Sequence, residues 1–334
     1  MERKKTVLTG IKPTGTPHLG NLMGAIRPAL EMAKKPELDP YFFIADYHAL
    51  TTVQDGKTFR NLVHEVAATW IACGLDPARC TIYCQSDIPE IFELSWILSC
   101  VTPKGLMNRA HAYKAVVQEN QEKGQEDLDA GVSMGLFCYP VLMAADILMF
   151  NSDFVPVGKD QVQHVEITRD IAQRFNKDFK KVFKLPMHVL SEQSAVLPGL
   201  DGRKMSKSYD NTIPIFAPSN QLQKLIARVK TDSVGPTDPK NPETSTLFMI
   251  YKEISTPEEI EAMKQKYVAG ISWGDAKQQT FEKLDQFLAE PRKKYQELMA
   301  NPAQIEQILK EGGLRARKVA TALLAEVRKA VGKI

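Results

Sequence analysis

The run Tyr41-Phe42-Phe43-Ile44-Ala45 is apolar at every position, and no other stretch limits the fold more. A strand that alternates apolar and polar residues can leave one face in water. A strand without alternation must be covered on both faces, as in a parallel sheet held between helices. Three more short runs repeat the theme: Thr6-Val7-Leu8-Thr9, Thr81-Ile82-Tyr83-Cys84 and Phe154-Val155-Pro156-Val157, the last ending at Gly158. Between them the apolar residues fall at helical spacing. Leu19, Leu22, Met23, Ile26 and Leu30 mark one helix. Leu62, Val66, Trp70 and Cys73 share a face of a second, from Asn61 to a stop at Gly74, and Val165, Ile167, Ile171 and Phe175 mark a third. Strands alternating with helices predict an α/β architecture, an open parallel sheet with right-handed crossovers whose ligands bind outside the carboxyl ends of the strands.

Past Asn211 the strand pattern gives way to helical signals. Thr256-Pro257-Glu258-Glu259 reads as a capping box, Asn301-Pro302 as another helix start and Gly312-Gly313 as a stop, while Val319, Leu323, Val327 and Val331 recur every four residues. A chain of 334 residues exceeds a usual single domain, so two domains are expected. The net charge of +3 argues against a generally basic nucleic-acid coat but not against a local patch. One candidate is Arg292 to Ile334, where ten Lys and Arg face four Glu. Five cysteines without a paired spacing suggest neither a disulfide framework nor a zinc site, and His48, His64, His111, His164 and His188 lack metal-ligand spacing, so no structural metal is expected. No stretch reaches membrane-spanning length and no apolar leader follows the charged start, which predicts a cytoplasmic protein.

Two loops carry the chemistry. In Asp201-Gly202-Arg203-Lys204-Met205-Ser206-Lys207-Ser208-Tyr209-Asp210-Asn211, lysines and hydroxyls alternate on a turn-rich segment suited to gripping polyphosphate, although a solvated basic turn has the same composition. Between the first strand and first helix lies Ile11-Lys12-Pro13-Thr14-Gly15-Thr16-Pro17-His18-Leu19-Gly20-Asn21. Pro17 suits a first helical position, Gly20 lets a ligand approach the backbone, and the helix N-terminus offers N–H groups to phosphate. Pro140 suits another helix start, from which Tyr139, Met143, Asp146 and Ile147 share one face and put a single carboxylate among apolar side chains. That acid either pairs inside a core or serves as the acceptor of a ligand. The polar stretch between Leu106 and Gly135 reads as a mobile insertion over the site.

The first loop, followed much later by a complete Lys-Met-Ser-Lys-Ser, resembles the two signatures of class I aminoacyl-tRNA synthetases, with His18 to Asn21 in the place of their His-Ile-Gly-His motif. Tyr139 to Leu148 is similar to the specificity helix of the bacterial tryptophanyl-tRNA synthetases, whose aspartate receives the indole N–H. Gly158-Lys159-Asp160-Gln161 resembles their Gly-Glu-Asp-Gln segment. The resemblance implies a Rossmann-like parallel-sheet catalytic domain over 1–212 and a C-terminal all-helical domain, reading the tRNA anticodon, over 213–334. It implies tryptophan activation by ATP with Mg2+, transfer to tRNA(Trp), and a homodimer. By the same resemblance His18, Lys204, Ser206 and Lys207 are catalytic. ATP would meet Lys12, Pro13, Thr14, Gly20, Asn21, Gly158, Lys159, Asp160, Val196, Met205 and Ser208 as well as the second-signature lysines and Ser206. Tryptophan would meet Gly10, His48, Tyr139, Met143, Asp146, Ile147, Val155, Val157 and Gln161. Two residues depart from the family pattern: Lys12 stands for a frequent Gln and Lys159 for the usual Glu. The rival readings are tyrosine–tRNA ligation, a class I-like nucleotidylyltransferase, and a non-catalytic binder of RNA or tryptophan.

Overall fold

Five parallel strands form one sheet in the order β3-β2-β1-β4-β5: β1 Lys5–Ile11, β2 Leu38–Ile44, β3 Thr81–Cys84, β4 Phe154–Val157 and β5 Met187–Leu190. The structure, a computed structural model, describes residues 3–13, 15, 17–190 and 197–333. Leu8 of β1 pairs with Tyr41, and Phe43 pairs with Tyr83, so the apolar run predicted from sequence is central in the sheet. Its side chains divide with period two, as a covered strand requires. Phe42 and Ile44 join the core on one face, and Tyr41 and Phe43 join the core on the other. Chain order reverses between β1 and β4, which opens a crevice at their carboxyl ends.

The crossover after β1 begins with α1 Leu19–Asn21, continues as a π-helical turn over Leu22–Ile26 and becomes α2 Arg27–Ala33. Pro17 precedes this helix instead of occupying its first position. His18 is the cap: its Nδ1 accepts from the Asn21 N–H at 3.3 Å, and the Asn21 Oδ1 accepts from the His18 N–H at 3.1 Å. A short α3, Asp46–Ala49, follows β2. Next comes α4, Gly56–Ala72, which starts at an Asp55 cap six residues before Asn61. α5 Glu90–Val101, α6 Lys104–Met107, α7 His111–Glu122, α8 Met134–Met149 and α9 Val162–Asp178 pack on the other face.

Two expectations fail here for identifiable reasons. Ser133 caps α8 through the Leu136 N–H, so Pro140 lies inside the helix, where it removes the bond that residue 140 would donate to Leu136. The polar stretch after Leu106 is not all loop, because His111–Glu122 forms α7 and the turns after it are hydrogen-bonded to it. Buried Asn120 donates to the carbonyls of Leu128 and Ala130 at 2.9 and 2.8 Å, and Gln163 of α9 bonds His111 N and Arg109 O.

The second half is helical: α10 Ser219–Ala227, α11 Thr246–Glu253, α12 Pro257–Ala269, α13 Trp273–Ala300 and α14 Pro302–Ala330. The capping box at Thr256 and Glu259 is present, and Pro302 is the first residue of α14. The Gly312-Gly313 stop is not. α14 runs through both glycines because they lie against the edge strand β3. A Cβ on Gly312 would sit 1.7 Å from the Ile82 carbonyl oxygen, and one on Gly313 3.0 Å from the Asp87 side chain. The helix thereby covers a sheet edge that would otherwise be open. Arg315 bonds the carbonyls of Pro77 and Cys80, Arg317 bonds Glu90 at 2.9 Å, and Arg328 pairs with Glu93. Part of the carboxyl-terminal positive charge is therefore engaged by the chain's own α5 and by the loop before β3. Among the described residues no helix is long and apolar enough to cross a membrane.

Candidate active site

Two cavities adjoin at the crevice between β1 and β4. The larger, about 550 Å³, is mainly apolar and is lined by Gly10, Phe43, His48, Tyr139, Met143, Ile147, Val155, Val157 and Gln161, with Ala112 and Leu136 from the segment before and at the start of α8. Gly10 is required: a Cβ there would fall 2.4 Å from the Phe43 ring. The smaller, about 300 Å³, is polar. Its wall includes Gly15, His18 and Asn21 from the first signature, Ser206 and Lys207 from the second, and Thr69 from α4. Ile11, Lys12 and Trp70 line both cavities and mark the junction.

Backbone bonds stitch the two signatures together. Leu19 N–H donates to Ile213 O at 2.9 Å, Ile215 N–H donates to Pro17 O at 3.4 Å, and His18 bridges to Pro214. Met205 is buried and its sulfur accepts from the Gly20 N–H at 3.3 Å, so the loop's one apolar side chain anchors it on the first signature. Asn211, also buried, closes the loop: its Oδ1 accepts from the Ser206 N–H at 2.8 Å, and its Nδ2 donates to Asp201 at 2.7 Å and to Lys204 O at 3.1 Å. The cations of the polar cavity are partly desolvated. Burial lowers the Lys12 and Lys207 pKa from the usual lysine value, and Glu65 acts in the opposite sense on Lys207. Burial, reinforced by the Lys207 charge, pulls His18 down to about 4, so at neutral pH its ring is uncharged.

A family model described as tRNA synthetases class I (W and Y) matches residues 1–289. The chain belongs to that family. The tryptophan–tRNA ligase of Pseudomonas aeruginosa is 56% identical over 329 residues, covering 98% of this chain and 73% of that protein. The Neisseria meningitidis enzyme of the same name is 54% identical over 329 residues and 98% of both chains. The crystal structure of the Campylobacter jejuni tryptophanyl-tRNA synthetase complexed with ADP and tryptophan has 41% sequence identity and a TM-score of 0.89, over 98% of this chain and 99% of that one. Membership in the class I synthetases leaves no place for the separate nucleotidylyltransferase reading.

The structure of this class I synthetase brings most of the expected residues together, with informative exceptions. Asp146 is fully buried behind the apolar wall and does not line the cavity. Its Oδ2 accepts from His48 Nε2 at 2.9 Å, and both of its oxygens accept from Gln85 Nε2 at 2.9 Å. Burial raises its pKa, against the bonds from His48 and Gln85. Tyr139, on the cavity wall, bonds buried His164 through its hydroxyl at 2.6 Å. Lys204 and Ser208 are exposed and stand outside both walls. Pro13, Gly20 and Met205 shape the loops without lining either cavity. Gly158 borders the apolar cavity, and a Cβ there would fall 2.6 Å from an Asp160 oxygen, while Lys159 and Asp160 themselves are exposed. Thr14 and Val196 lie outside the described residues.

Sequence reasoning missed Gln85, Asn211, and Trp70 as a wall of both cavities. Trp70 reads as core from its helical spacing, and it is both, being buried and bordering the site. For Gln85 a signal did exist. It directly follows β3, and carboxyl ends of parallel strands point their first loop residues toward the crevice.

Proposed function

We propose that the apolar cavity takes the tryptophan side chain and the polar cavity the phosphates of ATP, in a chain that activates tryptophan and transfers it to tRNA(Trp). The observation that carries this reading is the junction. Lys12, with Nζ donating to Thr51 at 3.0 Å, lines both cavities at the point where a carboxylate from one side and the α-phosphate from the other would meet. The tryptophan carboxylate attacks the α-phosphorus, a carboxyl–phosphate bond forms, and the bond to the β-phosphate breaks to release pyrophosphate. The 3′-terminal ribose hydroxyl of the tRNA then attacks the carbonyl carbon, and AMP departs with the electron pair. The protein offers no nucleophile. It positions two anions and stabilises the charge that grows on the leaving pyrophosphate, chiefly through Lys207 and the His18-capped helix start. His18 acts as a neutral hydrogen-bonding group.

Among the described residues no carboxylate lines the polar cavity, so Mg2+ would arrive on ATP and be held by phosphate oxygens. Its charge would add to that of the lysines. An indole N–H is a donor only and needs one acceptor in an apolar pocket, which Asp146 would supply from behind the wall, at the oxygen that His48 bonds. Tyrosine, whose hydroxyl would need a polar partner beside Met143, fits the same wall less well. The helical second half would read the tRNA, and the active species would be a homodimer in the cytoplasm. The test is charging of purified tRNA(Trp) with labelled tryptophan: incorporation that requires tryptophan, ATP and Mg2+ supports the reading, and equal charging of tRNA(Tyr) with tyrosine overturns it.

A further inference from the structure

Gln85 has no solvent exposure, sits directly after β3 and spends its amide nitrogen on one acceptor. Nε2 lies 2.9 Å from each oxygen of Asp146. The amide nitrogen, and not the amide oxygen, faces the carboxyl group, whose two oxygens both accept. The Oε1 on the other side is buried with no hydrogen-bond partner, a cost the fold tolerates for what the nitrogen does. Among the described residues no lysine or arginine bonds the carboxylate: its donors are Gln85 and His48. Of these three residues only His48 reaches the cavity wall. It belongs to the four-residue α3, and its backbone carbonyl is held by the Thr51 hydroxyl at 2.8 Å.

We propose that Gln85 is a positioning residue for amino-acid selection, fixing the Asp146 carboxylate so that the oxygen bonded by His48 can be shared with, or passed to, the ring N–H of the substrate. The proposal rests on the tryptophan reading of the apolar cavity. The two donors have different duties. His48 is the exchangeable one because it lies on the wall, where an incoming ring meets it. Gln85 is the fixed one, because it is sealed in the core and grips both oxygens, so the carboxylate neither turns nor loses its last donor when His48 gives way. A single fixed neutral donor also leaves the carboxylate with lone pairs to spare, whereas a bidentate arginine would occupy both oxygens and quench the acceptor.

The test compares the parent with Gln85→Leu, Gln85→Met and Asp146→Ala in amino-acid-dependent ATP–pyrophosphate exchange. The substrates are tryptophan and 3-benzothienylalanine, its ring isostere with sulfur in place of N–H. Leucine and methionine fill the buried volume without a polar atom, and circular dichroism with the KM for ATP reports an intact fold. For both Gln85 variants the KM for tryptophan should rise roughly 10- to 100-fold, the scale of losing a hydrogen bond to a charged group. The kcat and the KM for ATP should stay within about threefold, and the preference for tryptophan over the isostere should fall in parallel. A lower melting temperature with that preference unchanged would make Gln85 merely structural and overturn the proposal. If Asp146→Ala loses the preference while both Gln85 variants keep it, the positioning role alone fails. If Asp146→Ala keeps it too, the tryptophan reading of the cavity fails first.

Discussion

The two cavities are built in opposite ways. The apolar one is an extension of the core: strand ends, the inner face of α8 and an Asp146–Gln85 pair sealed behind His48 define it. The polar one is assembled from two loops far apart in sequence, joined by backbone bonds at Leu19 and Ile215, by Met205 against Gly20, and by the Asn211 clasp. The contrast separates duties. Selection of a flat aromatic ring needs a fixed shape and one fixed acceptor, so it is placed in packed structure. Stabilising a departing anion needs charge that can follow the reaction, so it is placed on a loop. Substitutions in the first cavity should therefore change stability and KM together, and substitutions in the second should change kcat with little effect on stability.

The largest expected effect is Lys207→Ala, which removes a partly desolvated charge from the polar wall. The barrier to adenylate formation should rise by about 3 to 4 kcal/mol, with the melting temperature and tryptophan binding unchanged, as read by exchange kinetics and calorimetry. Lys204→Ala, outside that wall, should cost less; equal losses would mean that the loop shifts inward during the reaction. Next is Asp146→Ala, which leaves Gln85 and His48 without their acceptor. Both selectivity against phenylalanine and stability should fall, each by about 1 to 3 kcal/mol, and a loss of selectivity at full stability would blur the proposed division.

Much of the apolar half was legible in the sequence because continuous apolar runs and helical spacing directly record burial. The four predicted strands and the face of α8 carrying Tyr139, Met143 and Ile147 follow from them. β5 was not legible, since Met187, His188 and Leu190 are exposed on an edge strand and carry no burial pattern. Gly312 and Gly313 misled because their reason is tertiary, a helix backbone pressed on a strand, and local rules read glycine as a stop. Pro140 misled in the same way, because the Ser133 cap seven residues upstream already sets the start of α8. The phosphate loops were recognisable by motif, but the clasp that shapes them was not: nothing local distinguishes Asn211 from an ordinary turn asparagine.

Asn211→Ala tests that clasp. Exchange should slow by roughly tenfold, the scale of one or two lost hydrogen bonds, with tryptophan KM unaltered. The Asp201 carboxyl, held at about 2 first by Asn211 and then by Arg203, should titrate closer to the usual range by NMR. The smallest effect concerns His18. Its folded pKa lies below the unfolded value, so it makes no pH-dependent contribution above about 6.5. As pH falls toward about 4 the unfolded chain takes up the proton first and stability declines. His18→Gln should flatten that part of the stability–pH curve, and an unchanged slope would place the titrating group elsewhere.

The division between a selecting cavity and a phosphate-gripping one is tested most directly by ATP–pyrophosphate exchange with tryptophan, with tyrosine and with no amino acid, on the purified parent chain. Exchange with tryptophan alone, abolished by Lys207→Ala at unchanged tryptophan binding, is the predicted result. Exchange that proceeds equally well with tyrosine, or without any amino acid, would contradict it.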